Sequence, residues 1–161
     1  MDKDTFGRQV LAAEESLYRV AKSILHNDED CADAIQNGIL HAYSKLATLH
    51  NEEYFRTWLT RIVINECYKL IRKQKKYVSW DDYAGWNSKT IQSAEDEPEL
   101  MLTLMSLEEK YRIPIVLHEI EGYSIKEIGT ILGISETNVS NRIFRGKNKL
   151  RKQLKEDYAK C

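Results

Sequence analysis

The sequence predicts an all-α protein made of two small helical domains joined by a flexible linker. Three observations carry this. Apolar residues recur at helical spacing before residue 77 and again after residue 98. No stretch alternates apolar and polar residues as a half-buried strand does. The intervening segment has no periodicity and is rich in Ser, Asp, Asn and Gly. At 161 residues the chain suits one domain or two very small ones. The expected divisions are 1–76, a linker at 77–97, and 98–161.

The first helix is marked by Leu17, Tyr18, Ala21, Ile24 and Leu25 on one face and stops at His26-Asn27. Asn27 or Asp28 can cap the next helix, whose acidic first turn suits the helix dipole. That helix is expected to carry Cys31, Ile35, Ile39, Ala42, Leu46 and Leu49 on one side. A third begins near Asn51-Glu52-Glu53, burying Tyr54 or Phe55 and then Trp58, Leu59, Ile62, Val63 and Leu70. Its end is strongly basic: Lys69, Arg72, Lys73, Lys75 and Lys76.

The linker holds Trp80 and Trp86, which are unusual in a simple tether and suit docking onto a domain. After it, Pro98 fits a first helical turn, with Leu100, Leu104 and Leu107 following. Ser106-Leu-Glu-Glu109 and Ser124-Ile-Lys-Glu127 both fit the capping box, in which serine and glutamate satisfy each other's backbone donors. Pro114 is expected near the start of its helix, since an interior proline kinks it. Gly122 supplies a stop.

From Ser124 to Leu154 the chain reads as a helix-turn-helix. Gly129 is small where two helices cross closely, and Gly133 can adopt the positive φ of the turn. Val139 falls on the inner face of the second helix, for which Ser135 is a cap, and Ile143, Leu150 and Leu154 fall on or near that face. Thr137, Asn138, Ser140, Asn141, Arg142 and Arg145 are left largely outward, with Lys147, Lys149, Arg151 and Lys152 extending the basic face. Such a helix fits the major groove, where amides and guanidinium groups meet base edges and hydroxyls reach phosphate. A helical hairpin with a solvated charged face is the plain alternative.

A net charge of −1 looks wrong for a DNA binder until it is divided along the chain. Residues 1–50 carry five basic and eight acidic side chains, and residues 51–77 carry seven and three. Residues 78–122 carry three and ten, and residues 123–161 carry nine and four. Two basic blocks thus alternate with two acidic ones, which points to two separate polyanion-facing surfaces.

Other chemistry finds little support. Cys31, Cys67 and Cys161 are odd in number, far apart and without CxxC spacing, so neither disulfides nor a zinc site is expected. Cys31 and Cys67 fall on apolar stripes as small core residues, and Cys161 is terminal. His26, His41, His50 and His118 do not cluster with acids. No Gly-rich phosphate loop or nucleophile–base pair is present, so no enzymatic activity, cofactor or small-molecule substrate is expected. Charged residues make up 30% of the chain, and no apolar run reaches the roughly 18 residues of a spanning helix. The opening Met1-Asp2-Lys3-Asp4-Thr5-Phe6 is unlike a secretory signal, so a cytoplasmic location is expected.

Glu121 to Ser135 (Glu-Gly-Tyr-Ser-Ile-Lys-Glu-Ile-Gly-Thr-Ile-Leu-Gly-Ile-Ser), preceded by Leu-Glu-Glu-Lys-Tyr-Arg at 107–112, resembles the fourth region of extracytoplasmic-function sigma factors of the sigma-70 family. Asp28-Glu-Asp-Cys-Ala-Asp-Ala-Ile-Gln36 resembles their second region, and Phe55-Arg-Thr-Trp-Leu-Thr-Arg-Ile62 with Asn65 and Arg72-Lys73 resembles the part that opens and reads the −10 element. Together the matches cover about residues 12–76 and 99–155. The sequence departs from the family pattern at Asn37 (usually glutamate), Lys69 (often aspartate), Gly129 (usually alanine), and Ser140 and Asn141 (commonly lysine and serine).

The resemblance implies a dissociable subunit that directs promoter-specific initiation, with partners core RNA polymerase, promoter DNA and an anti-sigma factor, often membrane-bound. It implies that Asp30, Asp33, Gln36 and Asn37 bind core polymerase, and that Arg61, Asn65, Arg72 and Lys73 meet the −10 element. Thr137, Asn138, Ser140, Asn141, Arg142, Arg145 and Lys147 would meet the −35 element. Phe55 and Trp58 are read as core residues ahead of contact with unstacked bases. The acidic linker, including Asp81, Asp82, Glu95 and Asp96, would run past positive polymerase surface. The competing functions are a stand-alone helix-turn-helix regulator, which would bind duplex DNA tightly alone, and an interaction scaffold, whose binding would be insensitive to salt.

Overall fold

In the computed structural model, which describes residues 1–77 and 99–159, Asp2 opens the first helix by accepting the Thr5 N–H at 2.7 Å. The side chains of residues 76, 77, 99 and 157–159 are outside the description, as are the linker with Trp80 and Trp86, Pro98 and Cys161. Every regular element among the described residues is helical. The chain divides into two compact units, which are taken in turn.

The first unit holds α1 (Lys3–Leu25), α2 (Asp28–Ser44) and α3 (Phe55–Tyr77), each packed on the other two. His26 ends α1 in the left-handed region (φ 70°), and Asn27 caps α2 by accepting the Asp30 N–H at 2.8 Å. Leu17, Ile24, Cys31, Phe55, Leu59 and Val63 are all at most 2% exposed. Burial of each large side chain is worth about 1.5–3 kcal/mol. Burial also pushes the Cys31 thiol up to about 12, which suits a packing role for it. Gly38 lets α2 approach α3 closely: a Cβ there would lie 2.7 Å from Val63 Cγ2 and 3.2 Å from Val63 Cα.

The structure corrects some expectations for this unit and decides one that was open. Leu46 and Leu49 do not lie on α2, which ends at Ser44 with Lys45 as its cap; Leu46 opens a short 3-10 turn and Leu49 follows it. Of the pair Tyr54 and Phe55, Phe55 is the buried one and Tyr54 is 62% exposed in a 3-10 turn capped by Asn51. Phe55 meets Phe6 edge-on with centroids 5.7 Å apart, which draws the start of α1 onto α3. Tyr18, Ile39, Ile62 and Leu70 are at the margin of the core, not inside it.

The second unit holds α4 (Glu99–Met105), α5 (Glu109–Ile115) continuing into a π turn (Val116–Ile120), α6 (Ile125–Leu132) and α7 (Glu136–Ala159). Ser124 and Glu127 form the expected capping box, at 3.1 Å and 3.0 Å. The one expected at Ser106 does not form. Ser106 Oγ bonds instead to the Thr103 carbonyl of the preceding helix and to Gln153 Oε1 at 2.8 Å, and Glu108 stands at the helix start without a side-chain cap. Buried Arg112 donates to the Leu107 carbonyl at 2.8 Å and so ties α5 to the turn that precedes it.

Pro114 is also displaced from expectation: it is the sixth residue of α5, past the first turn. Lacking an N–H, it cannot bond back to Lys110, and the helix loosens into the π turn two residues later, where the Glu121 N–H reaches Val116 O at 3.0 Å. Gly122 (φ 77°) ends this segment as expected.

Candidate nucleic-acid interface

The α6–α7 turn is built by glycine geometry. Gly133 takes φ 69° as the α6 cap, and the Ile134 N–H returns to Gly129 O at 3.0 Å. A Cβ at Gly129 would lie 2.8 Å from the Ile134 carbonyl oxygen, so the turn can fold this tightly because that residue is glycine. Ser135 Oγ then accepts the Asn138 N–H at 3.1 Å and starts α7. Val139 (0% exposed), Ile143 and Ile128 are buried, which fixes the rotation of α7 on its unit.

With that rotation fixed, Thr137, Ser140, Asn141 and Arg145 are exposed as expected. Asn138 and Arg142 are only half-exposed and engage each other, with Arg142 Nε donating to Asn138 Oδ1 at 2.9 Å. Lys147 is half-exposed and ion-paired to Glu119 of the π turn. Lys147 first, and His118 second, hold the Glu119 carboxyl below its ordinary range. Lys149 lies over the Tyr111 ring at 4.8 Å.

Phe144 was not singled out from the sequence, yet it is 67% exposed in the midst of this polar face. It follows Ser140 by four residues and Asn141 by three, so it shares their side of the helix. The signal was present: Phe144 is out of phase with the Val139–Ile143–Leu150 stripe. Leu154, placed near that stripe by sequence, is 40% exposed.

In the first unit, α3 exposes Arg61, Asn65, Arg72 and Lys73. Asn65 and Arg72 share a cleft of about 240 Å³ with His41, Ile62, Tyr68 and the Glu66–Lys69 pair, whose charged atoms are 3.2 Å apart. Lys69 is therefore already partnered on its own helix. Trp58 is half-buried against Phe55, with ring centroids 5.9 Å apart. On α2, Asp33, Gln36 and Asn37 are exposed and share one side, and Leu40, also missed from sequence, continues that side at 68% exposure. Asp30 differs from them. It is half-buried, and its Oδ2 accepts from Asn27 at 2.7 Å and from Gln74 of α3 at 3.0 Å.

The two units correspond to two family models. Residues 10–77 match sigma-70 region 2, and residues 98–150 match sigma-70 region 4. The chain is 31% identical over 171 aligned residues to the ECF RNA polymerase sigma factor SigW of Bacillus subtilis, covering 96% of this chain and 91% of that protein. The chain belongs to the extracytoplasmic-function sigma factors. A second B. subtilis relative, the RNA polymerase sigma factor SigV, is 31% identical, with 89% of this chain and 87% of that protein covered. Among solved structures, CnrH in complex with the cytosolic domain of CnrY is 27% identical with a TM-score of 0.73, covering 97% of this chain and 91% of that one. Sigma factor RpoE from Bartonella quintana, in complex with the anti-sigma factor NepR, shares the fold at a TM-score of 0.76 and 20% identity, covering 94% of this chain and 97% of that one.

Within this sigma factor, region 2 therefore contains α2 and α3, with their exposed polar faces, and region 4 contains α6 and α7 as far as residue 150. Among the described residues no helix is long and apolar enough to cross a membrane.

Proposed function

We propose that this RNA polymerase sigma factor docks its region 2 on core polymerase through the exposed side of α2, Asp33, Gln36 and Asn37, with Leu40 beside them. The basic face of α3, Arg61, Asn65, Arg72 and Lys73, then meets the −10 element, and α7 reads the −35 element. The observation that carries this reading is the pairing of two exposed basic helix faces, one per unit, in a chain whose total charge is −1. Positive charge concentrated on two faces gives counterion-release affinity at two separated stretches of DNA, while the acidic remainder disfavours binding elsewhere.

On α7, Thr137, Ser140, Asn141 and Arg145 meet bases and phosphates, a reading their exposure supports. Asn138 and Arg142 act as a hydrogen-bonded pair, so the guanidinium is offered in one orientation. Phe144 adds an apolar group fitted to a thymine methyl. The protein makes no bonds itself: polymerase performs the chemistry. It works in the cytoplasm, where promoters are, and an anti-sigma factor that covers its polymerase-facing surfaces holds it inactive; RpoE was solved with the anti-sigma factor NepR, and CnrH with the cytosolic domain of CnrY.

Run-off transcription with core polymerase and genomic fragments tests the reading. Promoter-dependent transcripts are expected with the full chain and not with core polymerase alone. Asp33→Ala should weaken core binding, whereas Arg72→Ala and Arg145→Ala should lower transcription at saturating protein. Tight sequence-specific binding of duplex DNA without polymerase, and no promoter-dependent product with it, would overturn the reading.

A further inference from the structure

The basic end of α3 has weak apolar anchorage. Among its described side chains the last fully buried one is Cys67, and beyond it Tyr68, Leu70, Ile71 and Gln74 are only half-buried. Arg72, Lys73 and Lys75 crowd this turn with like charge. A contact distant in sequence ties it down. Gln74 Nε2 donates to Asp30 Oδ2 at 3.0 Å, across 44 residues of sequence. The same oxygen accepts from Asn27 Nδ2 at 2.7 Å, and Asn27 also holds the Asp30 backbone N–H. Asp30 is thus fixed from both sides in the first turn of α2.

The neighbouring carboxylate extends the junction. Asp28 Oδ1 bonds to Lys22 Nζ at 2.7 Å and to the Tyr18 hydroxyl, both on α1. The N-terminal turn of α2 therefore holds α1 through Asp28 and α3 through Asp30. A hydrogen bond to an ionised acceptor is stronger than a neutral one and fixes direction as well as distance. Here it joins the helix assigned to polymerase to the end of the helix assigned to the promoter.

We propose that Gln74, acting through Asp30, is a positioning residue for promoter opening. The pair holds the basic end of α3 at a set angle to α2, so that docking α2 on polymerase delivers Arg72 and Lys73 to the −10 strand. Asp30 then serves inside the domain and leaves the polymerase surface to Asp33, Gln36 and Asn37. This rests on the roles proposed above for α2 and α3.

The test uses the full chain with core polymerase and a promoter it transcribes. Core affinity is measured by fluorescence titration, and strand opening by permanganate reactivity at saturating sigma factor. Gln74→Leu and Asp30→Ala should each reduce opening about fivefold, the scale of a lost coupled pair, with core affinity within about twofold of wild type. Gln74→Glu, which sets carboxylate against carboxylate, should reduce it further. Adding Asp30→Asn to Gln74→Glu restores a donor and a charged acceptor between the two helices at the cost of the bond from Asn27, and should raise opening at least about twofold above that of Gln74→Glu alone.

Rescue separates this role from direct contact between Gln74 and DNA, where an added carboxylate would stay harmful whatever stood at position 30. Normal opening by Gln74→Leu, absence of rescue, or losses that track the unfolded fraction in thermal melts would each overturn the proposal. Asp33→Ala and Arg72→Ala report separately on the underlying roles. If both lower activity while Gln74→Leu does not, the positioning role alone falls.

Discussion

Glu119, on the π turn, forms an ion pair with Lys147 of α7, and His118 Nδ1 lies 3.2 Å from the same Glu119 oxygen. A lysine that the sequence assigned to DNA is thereby occupied by a carboxylate from its own domain. A phosphate must compete with Glu119 for it. Glu119→Gln should raise holoenzyme affinity for the −35 duplex about two- to fivefold and steepen its salt dependence by up to about 0.9 in the log–log slope. Unchanged or weaker binding by this variant would show that the pair instead presents Lys147 to DNA.

Phe144 is 67% exposed between polar neighbours, and its predicted contact is a thymine methyl in the −35 element. Replacing thymines there one at a time by deoxyuridine removes the methyl and nothing else. One such replacement should weaken wild-type binding by about 1 kcal/mol and have no effect on Phe144→Ala. Equal sensitivity of the two proteins at every position would rule the contact out.

Gly129→Ala sets two effects in opposition. Helix propensity favours alanine by about 1 kcal/mol. The added Cβ, however, would sit 2.8 Å from the Ile134 carbonyl oxygen, a backbone atom held in the turn by the hydrogen bond back to residue 129. Strain is expected to win, giving a net loss of about 1–3 kcal/mol as for other overpacked sites, read as a lower melting temperature. Gly38→Ala should act likewise in the first unit, because Val63 Cα is part of the obstruction.

The Asp28 carboxyl is held below its ordinary value of 3.8, chiefly by Lys22 and then by the Tyr18 hydroxyl. Its folded pKa is thus lower than its unfolded one. The stabilisation is present above the ordinary carboxylate pKa and is lost as pH falls through the folded value. Because Asp28 is largely exposed, the effect should not exceed about 1 kcal/mol. Asp28→Asn should therefore lower the melting temperature slightly at neutral pH and flatten its fall as pH drops below the ordinary carboxylate value. An identical acid limb in both proteins would exclude the pair as a contributor.

The sequence by itself determined the helices, their faces and the family. Apolar spacing located α1, α2, α3 and α7 because burial of one stripe is what makes an amphipathic helix stable. Ser124, Glu127, Gly133 and Ser135 placed the α6–α7 turn because caps and positive-φ residues act over a few bonds. Only the tertiary structure decided what depends on partners distant along the chain. It occupied Ser106 with Gln153, paired Lys147 with Glu119, and made Asp30, which the family resemblance assigns to polymerase, an acceptor for Gln74. A charged residue's type does not encode whether solvent, DNA or another element of the fold will meet it. That is set by the packing angle between helices, which emerges from the whole core, including the close approach that Gly38 allows between α2 and α3.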